Sequence, residues 1–148
     1  MGGWISLNLI RRLGAKVVGF VGIAAAPDFT EDSMWAGFSD AQKQELAQNG
    51  QVALPSDYSD DPYIITQKLI EDGRANLVLR TPLVLTFPTR LLQGTADTDV
   101  PVAVAMRLLD HASGSDIRLT LVKGADHRFS DETCLALIVD SIQDVLDG

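Results

Sequence analysis

Two polar side chains in this sequence have the types and positions that acid–base chemistry needs. Asp97 lies three residues after Gly94 in LLQGTADTDVP, and His127 lies in VKGADHRFS. Each follows a stretch that is predicted to be a strand, and the carboxyl ends of parallel strands meet at one edge of a sheet. An imidazole that a carboxylate orients can take the proton of an attacking serine and later return it to the leaving group. The two loops therefore predict nucleophilic catalysis at this edge.

Each residue also has a structural interpretation. An aspartate after a glycine is commonly a turn or capping residue, and Asp99 is a candidate cap for the next helix. Asp126 adjoins His127, but neighbouring side chains in an extended loop diverge, so we do not expect it to orient the ring. His111, in LLDHASG, is expected to be solvated. The combination of the two loops, about 30 residues apart, favours the catalytic interpretation for Asp97.

The segments around these loops alternate between strand and helix patterns. The apolar run VVGFVGIAAA, from Val17, is typical of a strand covered on both faces. TRLLQG predicts a second strand, and the alternating IRLTLVK predicts a third at a sheet edge. Helices are predicted over residues 4–13, 40–48, 62–73, 101–112 and 131–146. This order indicates an α/β fold with a parallel sheet of about three strands.

Composition and charge exclude several classes of protein. A net charge of −8 argues against a nucleic-acid partner, which would attract clustered Lys and Arg. No apolar run approaches the roughly 20 residues that a membrane span needs. The N-terminus has no signal-peptide pattern, so a cytoplasmic location is expected. Cys134, the single cysteine, lies on the apolar side of the last predicted helix and is expected to be a buried thiol.

The segments RLLQGTADTDVP and LVKGADHRFS resemble the acid and histidine motifs of the α/β-hydrolase superfamily. PDFTED, LPSDYSD and the helix after PY are similar to a bacterial branch related to the mitochondrial acyl-protein thioesterases and acyl-glucuronide esterases. The resemblance covers essentially the whole chain. It implies a carboxylic ester or thioester hydrolase with a Ser-His-Asp mechanism, in which His127 is the base and Asp97 orients it. It implies no metal or organic cofactor, and a small-molecule or acyl-chain substrate.

The same resemblance bears on the nucleophile. In this superfamily the serine lies in a G-x-S-x-G turn, and the residues after it commonly read M-G-G-W, as the sequence does from Met1. The resemblance thus implies a serine directly before Met1, whose backbone N–H would serve the oxyanion hole. It also implies that the N-terminal half of the domain is absent. None of the nine serines lies in a G-x-S-x-G turn, so the chain alone is expected to be inactive, as a non-catalytic remnant or a mis-started fragment.

Residues 27–61 interrupt the alternating pattern with acidic and turn-rich stretches. We expect residues 1–148 to form a single, partial α/β-hydrolase domain in which this stretch is a lid-like insertion. Phe29, Met34, Trp35 and Phe38 are candidate apolar lining for an acyl pocket, and the alternative is that they only seal the lid onto the body.

Two further interpretations stay open. A magnesium-dependent phosphatase would use paired aspartates and a lysine, drawn from Asp97, Asp99, Lys123, Asp126 and Asp131. Separately, VVGFVGI would expose an uncharged strand edge if no other strand covered it, which predicts self-association through that edge.

Overall fold

The structure is a computed structural model that describes residues 1–55 and 60–148. Its α-helices are α1 (Gly2–Leu13), α2 (Asp40–Asn49), α3 (Gln67–Ala75), α4 (Val102–His111) and α5 (Glu132–Asp147). A 3-10 turn (Gly14–Lys16) follows α1, and Thr30–Trp35 form a short π-helix. Its strands are β1 (Phe20–Ile23), β2 (Gln51–Leu54), β3 (Tyr63–Thr66), β4 (Leu83–Val84), β5 (Thr89–Gly94), β6 (Ala112–Ser113) and β7 (Ile117–Val122). The chain divides into a sheet unit, Met1–Pro27 with Val78–Gly148, and an insert unit, Asp28–Leu77. None of the described helices is long and apolar enough to cross a membrane.

The sheet unit is built on three parallel strands in the order β1-β5-β7. The central strand β5 is buried at every position, although its sequence includes the polar residues Thr89, Arg90 and Gln93. Helix α4 packs on β5 and β7, and α5 packs on β1 and β5. Strands β4 and β6 form a separate, short parallel pair. The expected α/β fold with a three-stranded parallel sheet is confirmed, and β7 lies at the edge.

The expected buried thiol belongs to the core between β5 and α5. Cys134 is fully buried in a cluster with Leu92, Ala125 and Phe129. Its helix begins after Asp131, whose carboxylate accepts a hydrogen bond from the backbone N–H of Cys134. Burial, with a smaller contribution from Asp131, raises the pKa of the thiol to about 11. Cys134 is therefore a structural residue.

Strand β1 is shorter than the apolar run that predicts it. The backbone N–H of Val17 donates to Gly14 O and closes a turn after α1, while Ala24 has a φ of 45° and ends the strand. Only Phe20–Ile23 pairs with β5, and Val18 and Ile23 are exposed. The expectation of a strand covered on both faces is therefore wrong in these residues.

The structure of the insert unit differs from the expectation that a helix begins at Pro62. Tyr63–Thr66 is a strand that pairs antiparallel with β2, and helix α3 begins only at Gln67. Ile64 and Ile65 are β-branched and favour the extended conformation. Thr66 then caps the helix, because its hydroxyl accepts a hydrogen bond from the backbone N–H of the third helical residue.

The insert unit has its own apolar core and continues beyond residue 61, where the sequence placed its end. That core comprises Phe38, Leu46, Val52, Ile65 and Ile70. Helix α2 occupies nearly the predicted range and begins with a capping box between Ser39 and Gln42. Residues 56–59 of the predicted lid, with two of the serines, lie outside the described residues. The role of this unit as a lid stays a prediction.

Candidate active site

The loops after β5 and β7 are tied together at the carboxyl edge of the sheet. Ala96 N donates to Ala125 O at 3.0 Å, and Gly124 N donates to the Thr95 hydroxyl at 2.8 Å. Gly94 permits this close approach, because a Cβ at that position would lie 2.2 Å from Ala125 O. The two loops that carry the predicted acid and base therefore have a fixed separation.

The structure brings Asp97 and His127 together across these loops. Nδ1 of His127 lies 3.0 Å from Oδ2 of Asp97. The Asp97 side chain is 1% exposed, whereas that of His127 is 41% exposed. A buried carboxylate thus contacts one ring nitrogen, while the ring itself remains accessible to a reactant.

Four hydrogen bonds hold the Asp97 carboxylate. Oδ1 accepts from the backbone N–H groups of Asp99 and Val100 at 2.9 and 2.8 Å. Oδ2 accepts from Nε2 of Gln93 at 2.9 Å and faces the His127 ring. Burial alone would raise the pKa of Asp97, but these hydrogen bonds outweigh it and lower the pKa below its ordinary value. The carboxylate is therefore ionised at neutral pH.

An ionised carboxylate also determines the tautomer of the ring. Asp97 can only accept, so Nδ1 of His127 must carry the proton that lies between the two groups. In the neutral ring Nε2 is then unprotonated. A nitrogen with a free lone pair, in a ring fixed by a buried carboxylate, is what a general base requires.

The competing acids have other tasks in the structure. Asp126 Oδ1 accepts from the backbone N–H groups of Arg128 and Phe129, so this carboxylate forms a turn and does not orient the ring. Asp99 does not cap α4 as expected, because the N-cap residue is Pro101 and no side chain caps that helix.

The second histidine lies outside this site. Nε2 of His111 is 2.9 Å from Thr81 O, at the C-terminal end of α4. At this partly exposed position the ring is also hydrogen-bonded to the backbone of a neighbouring segment, which the sequence did not indicate.

Met1 lies at the N-terminal end of α1, where it is the N-cap residue. Trp4 N and Ile5 N donate to its carbonyl. The first turn of α1 packs closely on the segment that follows β1, since a Cβ on Gly3 would lie 2.7 Å from Cβ of Ala25. Helix α1 therefore begins next to the carboxyl end of β1, which is the edge of the sheet where Asp97 and His127 lie.

The four predicted pocket residues lie in the insert unit. Phe38 is buried in its apolar core, and Met34 and Trp35 are partly buried against that core. The Trp35 and Phe38 rings have centroids 6.2 Å apart. Phe29 is partly buried. The packing of Phe38 within its own unit is a role that the sequence did not indicate.

Trp35 also lines a small groove of about 90 Å³ within the insert unit. The Arg74 guanidinium and the Lys43 ammonium lie 4.6 and 5.3 Å from its ring centroid. Nε of Arg74 pairs with Glu31 at 2.7 Å. This groove is far below the roughly 300 Å³ at which ligand pockets begin, so it is not the predicted acyl pocket.

Asp97, Asp99 and His127 place potential metal-ligand atoms within 4.8 Å of one another. Both oxygens of Asp97 already accept two hydrogen bonds each, as described above. Of the other residues in the phosphatase hypothesis, Asp126 and Asp131 hold backbone N–H groups. A cation at this site would therefore have to displace hydrogen bonds that Asp97 already makes.

Gln93 is the residue of this site that the sequence analysis missed. Its side chain is fully buried at the end of β5 and donates to Asp97 Oδ2. The available signal was an amide side chain after two leucines, directly before Gly94 and the loop that carries the acid.

No protein-family model matches the chain. Among curated proteins it is 30% identical over 148 residues to the palmitoyl-protein thioesterase ABHD10, mitochondrial, of Mus musculus, covering 99% of this chain and 50% of that protein. The human protein of the same name is also 30% identical, with 48% of its length covered. The chain therefore spans about half the length of the curated relatives it matches.

Solved structures show the same likeness. A putative hydrolase from Agrobacterium vitis has a TM-score of 0.92 and 41% identity, with 98% of this chain and 58% of that chain covered. The mouse alpha/beta hydrolase domain-containing protein 10 has a TM-score of 0.85 and 27% identity, with the same coverage.

These comparisons correct one expectation and establish another. The expected cytoplasmic location is wrong by this comparison, because the curated relatives are named as mitochondrial proteins. The parallel sheet, the similarity over nearly the whole chain and the agreement with solved hydrolases lead to one conclusion. The chain has the fold of the α/β-hydrolase superfamily and is similar to its members over nearly its whole length.

Proposed function

We propose that this chain supplies the base and the orienting acid of a serine hydrolase that cleaves carboxylic esters or thioesters. One observation carries the proposal: Nδ1 of His127 lies 3.0 Å from Oδ2 of the buried Asp97 carboxylate. The thioesterase names of the curated relatives support the same reaction class.

The proposed reaction has two half-reactions. His127 Nε2 takes the serine proton as the hydroxyl attacks the acyl carbonyl, and the resulting imidazolium gives that proton to the leaving alcohol or thiol. Water then attacks the acyl-enzyme with His127 again as base. Asp97 stays ionised throughout and stabilises the imidazolium that forms in each half-reaction.

The nucleophile in this proposal comes from outside the 148 residues. The supporting observation is that no G-x-S-x-G turn occurs in the sequence. The backbone N–H of Met1 is the proposed oxyanion donor. The packing of Gly3 against Ala25 supports this assignment, because it holds the start of α1 beside the carboxyl end of β1.

The proposed substrate is an acyl ester or thioester, in line with the palmitoyl-protein thioesterase names of the curated relatives. Phe29, Met34, Trp35 and Phe38 stay candidate contacts for the acyl group. Their apolar surfaces suit a hydrocarbon chain, and charged leaving groups would have to bind elsewhere.

A fluorophosphonate probe tests the proposal, because it labels only an activated serine. The 148-residue chain should remain unlabelled and should not hydrolyse p-nitrophenyl butyrate or palmitoyl-coenzyme A. The extended protein, in which the residues encoded by the upstream in-frame codons precede these 148, should be labelled at one serine. It should also hydrolyse at least one of the two substrates.

The matched control is the extended protein with His127→Ala, which should lose the labelling and the hydrolysis while remaining folded. Labelling of a serine within the 148 residues would contradict the external nucleophile. Activity of the extended protein that EDTA abolishes, with p-nitrophenyl phosphate as the preferred substrate, would contradict the hydrolase assignment in favour of a metal-dependent phosphatase.

A further inference from the structure

We propose that Gln93 is a positioning residue that holds the Asp97 carboxylate in the orientation required by His127; this inference rests on the proposed function. The Gln93 side chain is fully buried near the end of β5. Its Nε2 donates to Asp97 Oδ2 at 2.9 Å, and the same oxygen lies 3.0 Å from His127 Nδ1. Gln93 therefore acts on the base through the carboxylate.

A closed ring of hydrogen bonds fixes this arrangement. Nε2 of Gln93 also donates to Val100 O at 3.0 Å, while Val100 N donates to Asp97 Oδ1 at 2.8 Å. The Gln93 amide thus binds Oδ2 of Asp97 directly. It also binds Val100, the residue whose backbone N–H donates to Oδ1. Rotation of the carboxylate about its Cβ–Cγ bond would break bonds to both Gln93 and Val100.

The amide has only one orientation that satisfies its neighbours. A reversed amide would place Oε1 against Asp97 Oδ2 and Val100 O, which are both acceptors. In the observed orientation Oε1 is buried and has no hydrogen-bond partner among the described residues.

That unpartnered oxygen indicates why an amide is present. A buried acceptor without a partner opposes folding, and an apolar side chain of the same length would avoid that loss. What an apolar side chain could not supply is the N–H donor to Asp97. The arrangement therefore favours the orientation of the carboxylate over the best packing of the strand end.

Gln93→Met removes the N–H donor and keeps the length of the side chain, so it tests the inference in the extended protein. Without the amide the carboxylate can rotate, and the His127 ring loses its fixed position. We expect kcat to fall roughly 10- to 100-fold, the range for a hydrogen bond to a charged group, with KM nearly unchanged.

Thr89→Val is the matched control. Thr89 is fully buried at the other end of β5, and its hydroxyl donates to Phe87 O. This variant also removes a buried polar group from the same strand, so it should lower the melting temperature without changing kcat. Equal losses of kcat in the two variants would overturn the inference, because they would show a general effect of strand stability.

The His127 Nδ1 proton gives a readout that needs no turnover. In the wild type this proton should appear as a low-field resonance in the ¹H spectrum, assigned by its absence in His127→Gln. Gln93→Met should shift or broaden it, and Thr89→Val should leave it unchanged. An unchanged resonance in Gln93→Met would overturn the inference whether or not the protein proves to be a hydrolase.

Gln93→Glu keeps the shape of the side chain and serves if Gln93→Met does not fold. A protonated Glu side chain can donate to Asp97, whereas an ionised one would repel it. We therefore expect a loss of kcat with rising pH that the wild type does not show. A pH profile of kcat identical to that of the wild type would contradict the positioning role.

Discussion

Arg90 and Asp116 form a two-pronged ion pair at the opposite end of β5 from the catalytic pair. Nη1 and Nη2 of Arg90 donate to Oδ1 and Oδ2 of Asp116 at 3.0 and 2.9 Å. Asp144, on α5, accepts from Nε of the same guanidinium. The Arg90 side chain is only 7% exposed, so its charge depends on these two carboxylates. The ion pair thus joins the central strand to the segment before β7 and to the last helix.

Asp116→Asn is expected to lower the free energy of unfolding at neutral pH and to weaken its dependence on acid. The hydrogen bonds from Arg90 lower the pKa of Asp116 in the folded chain. A lowered pKa stabilises the fold above the ordinary aspartate pKa of about 3.9, and this stabilisation is lost as pH falls through the folded value. Urea unfolding between pH 7 and pH 3 measures both effects.

The control for that experiment is Asp110→Asn, which changes an exposed carboxyl of α4. It should leave the stability and its acid dependence close to those of the wild type. If Asp116→Asn and Asp110→Asn have the same acid dependence, the Arg90 ion pair does not stabilise the fold in the way described.

Asp97→Asn and His127→Ala should each lower kcat of the extended protein by several orders of magnitude. Removal of the orienting acid leaves the ring in the wrong tautomer, which costs roughly 10⁴-fold in serine hydrolases of this mechanism. Steady-state hydrolysis of p-nitrophenyl butyrate measures the effect.

Asp126→Asn is the matched control, since it changes the carboxyl next to His127 and keeps the oxygen that accepts the turn hydrogen bonds. Asp99→Asn and His111→Ala should also cost little. A loss in Asp99→Asn as large as that in Asp97→Asn would show that the acid has been assigned wrongly.

Ionisation of Cys134 should lower the free energy of unfolding at alkaline pH. Burial raises the pKa of the folded thiol to about 11, above the unfolded value of about 8.5. The resulting stabilisation is fully present below pH 8.5 and is lost as pH rises towards 11, with a slope of at most about 1.4 kcal/mol per pH unit. Urea unfolding of the wild type and of Cys134→Ala should show this slope as the difference between the two.

Thiol labelling provides an independent check on the same residue. Iodoacetamide should leave native Cys134 unmodified at pH 8 and should modify it at once in urea, because the thiolate is the reactive form. Rapid modification of the folded chain would contradict the buried position.

The catalytic loops could be predicted because their signals are local. Gly94 precedes the acid loop, and Asp97 and His127 each follow a strand of six residues that the sequence predicts. Neighbouring parallel strands then bring the two loops together without further information.

Strands β2 and β3 could not be recognised in the same way. Each is four residues long, and their pairing joins segments on both sides of residues 56–59. Pro62 is suited to the first turn of a helix, which made the helix hypothesis attractive. The decisive signal was Thr66, whose cap marks the true beginning of α3.

The role of Gln93 depends on tertiary structure. A buried amide has no characteristic spacing, and its partners are a carboxylate four residues later and a carbonyl seven residues later in a folded loop. Only the path of that loop shows that all three groups meet. The same holds for the Arg90 ion pair, whose two carboxylates come from the segment before β7 and from α5.

The 148-residue chain is expected to self-associate through the outer edge of β1. In the part of the chain that the structure describes, β1 pairs with β5 on one side and with no strand on the other. No charged side chain occurs in Phe20–Ile23, whereas the opposite edge strand carries Arg118. A charge on β1 should oppose edge-to-edge pairing, so Ile23→Lys should shift size-exclusion elution of the chain towards the monomer. Thr120→Lys, on the already polar β7, should not. Concentration-independent elution of the wild type as a monomer would contradict this prediction, because an accessible unpaired edge should associate more strongly as concentration rises.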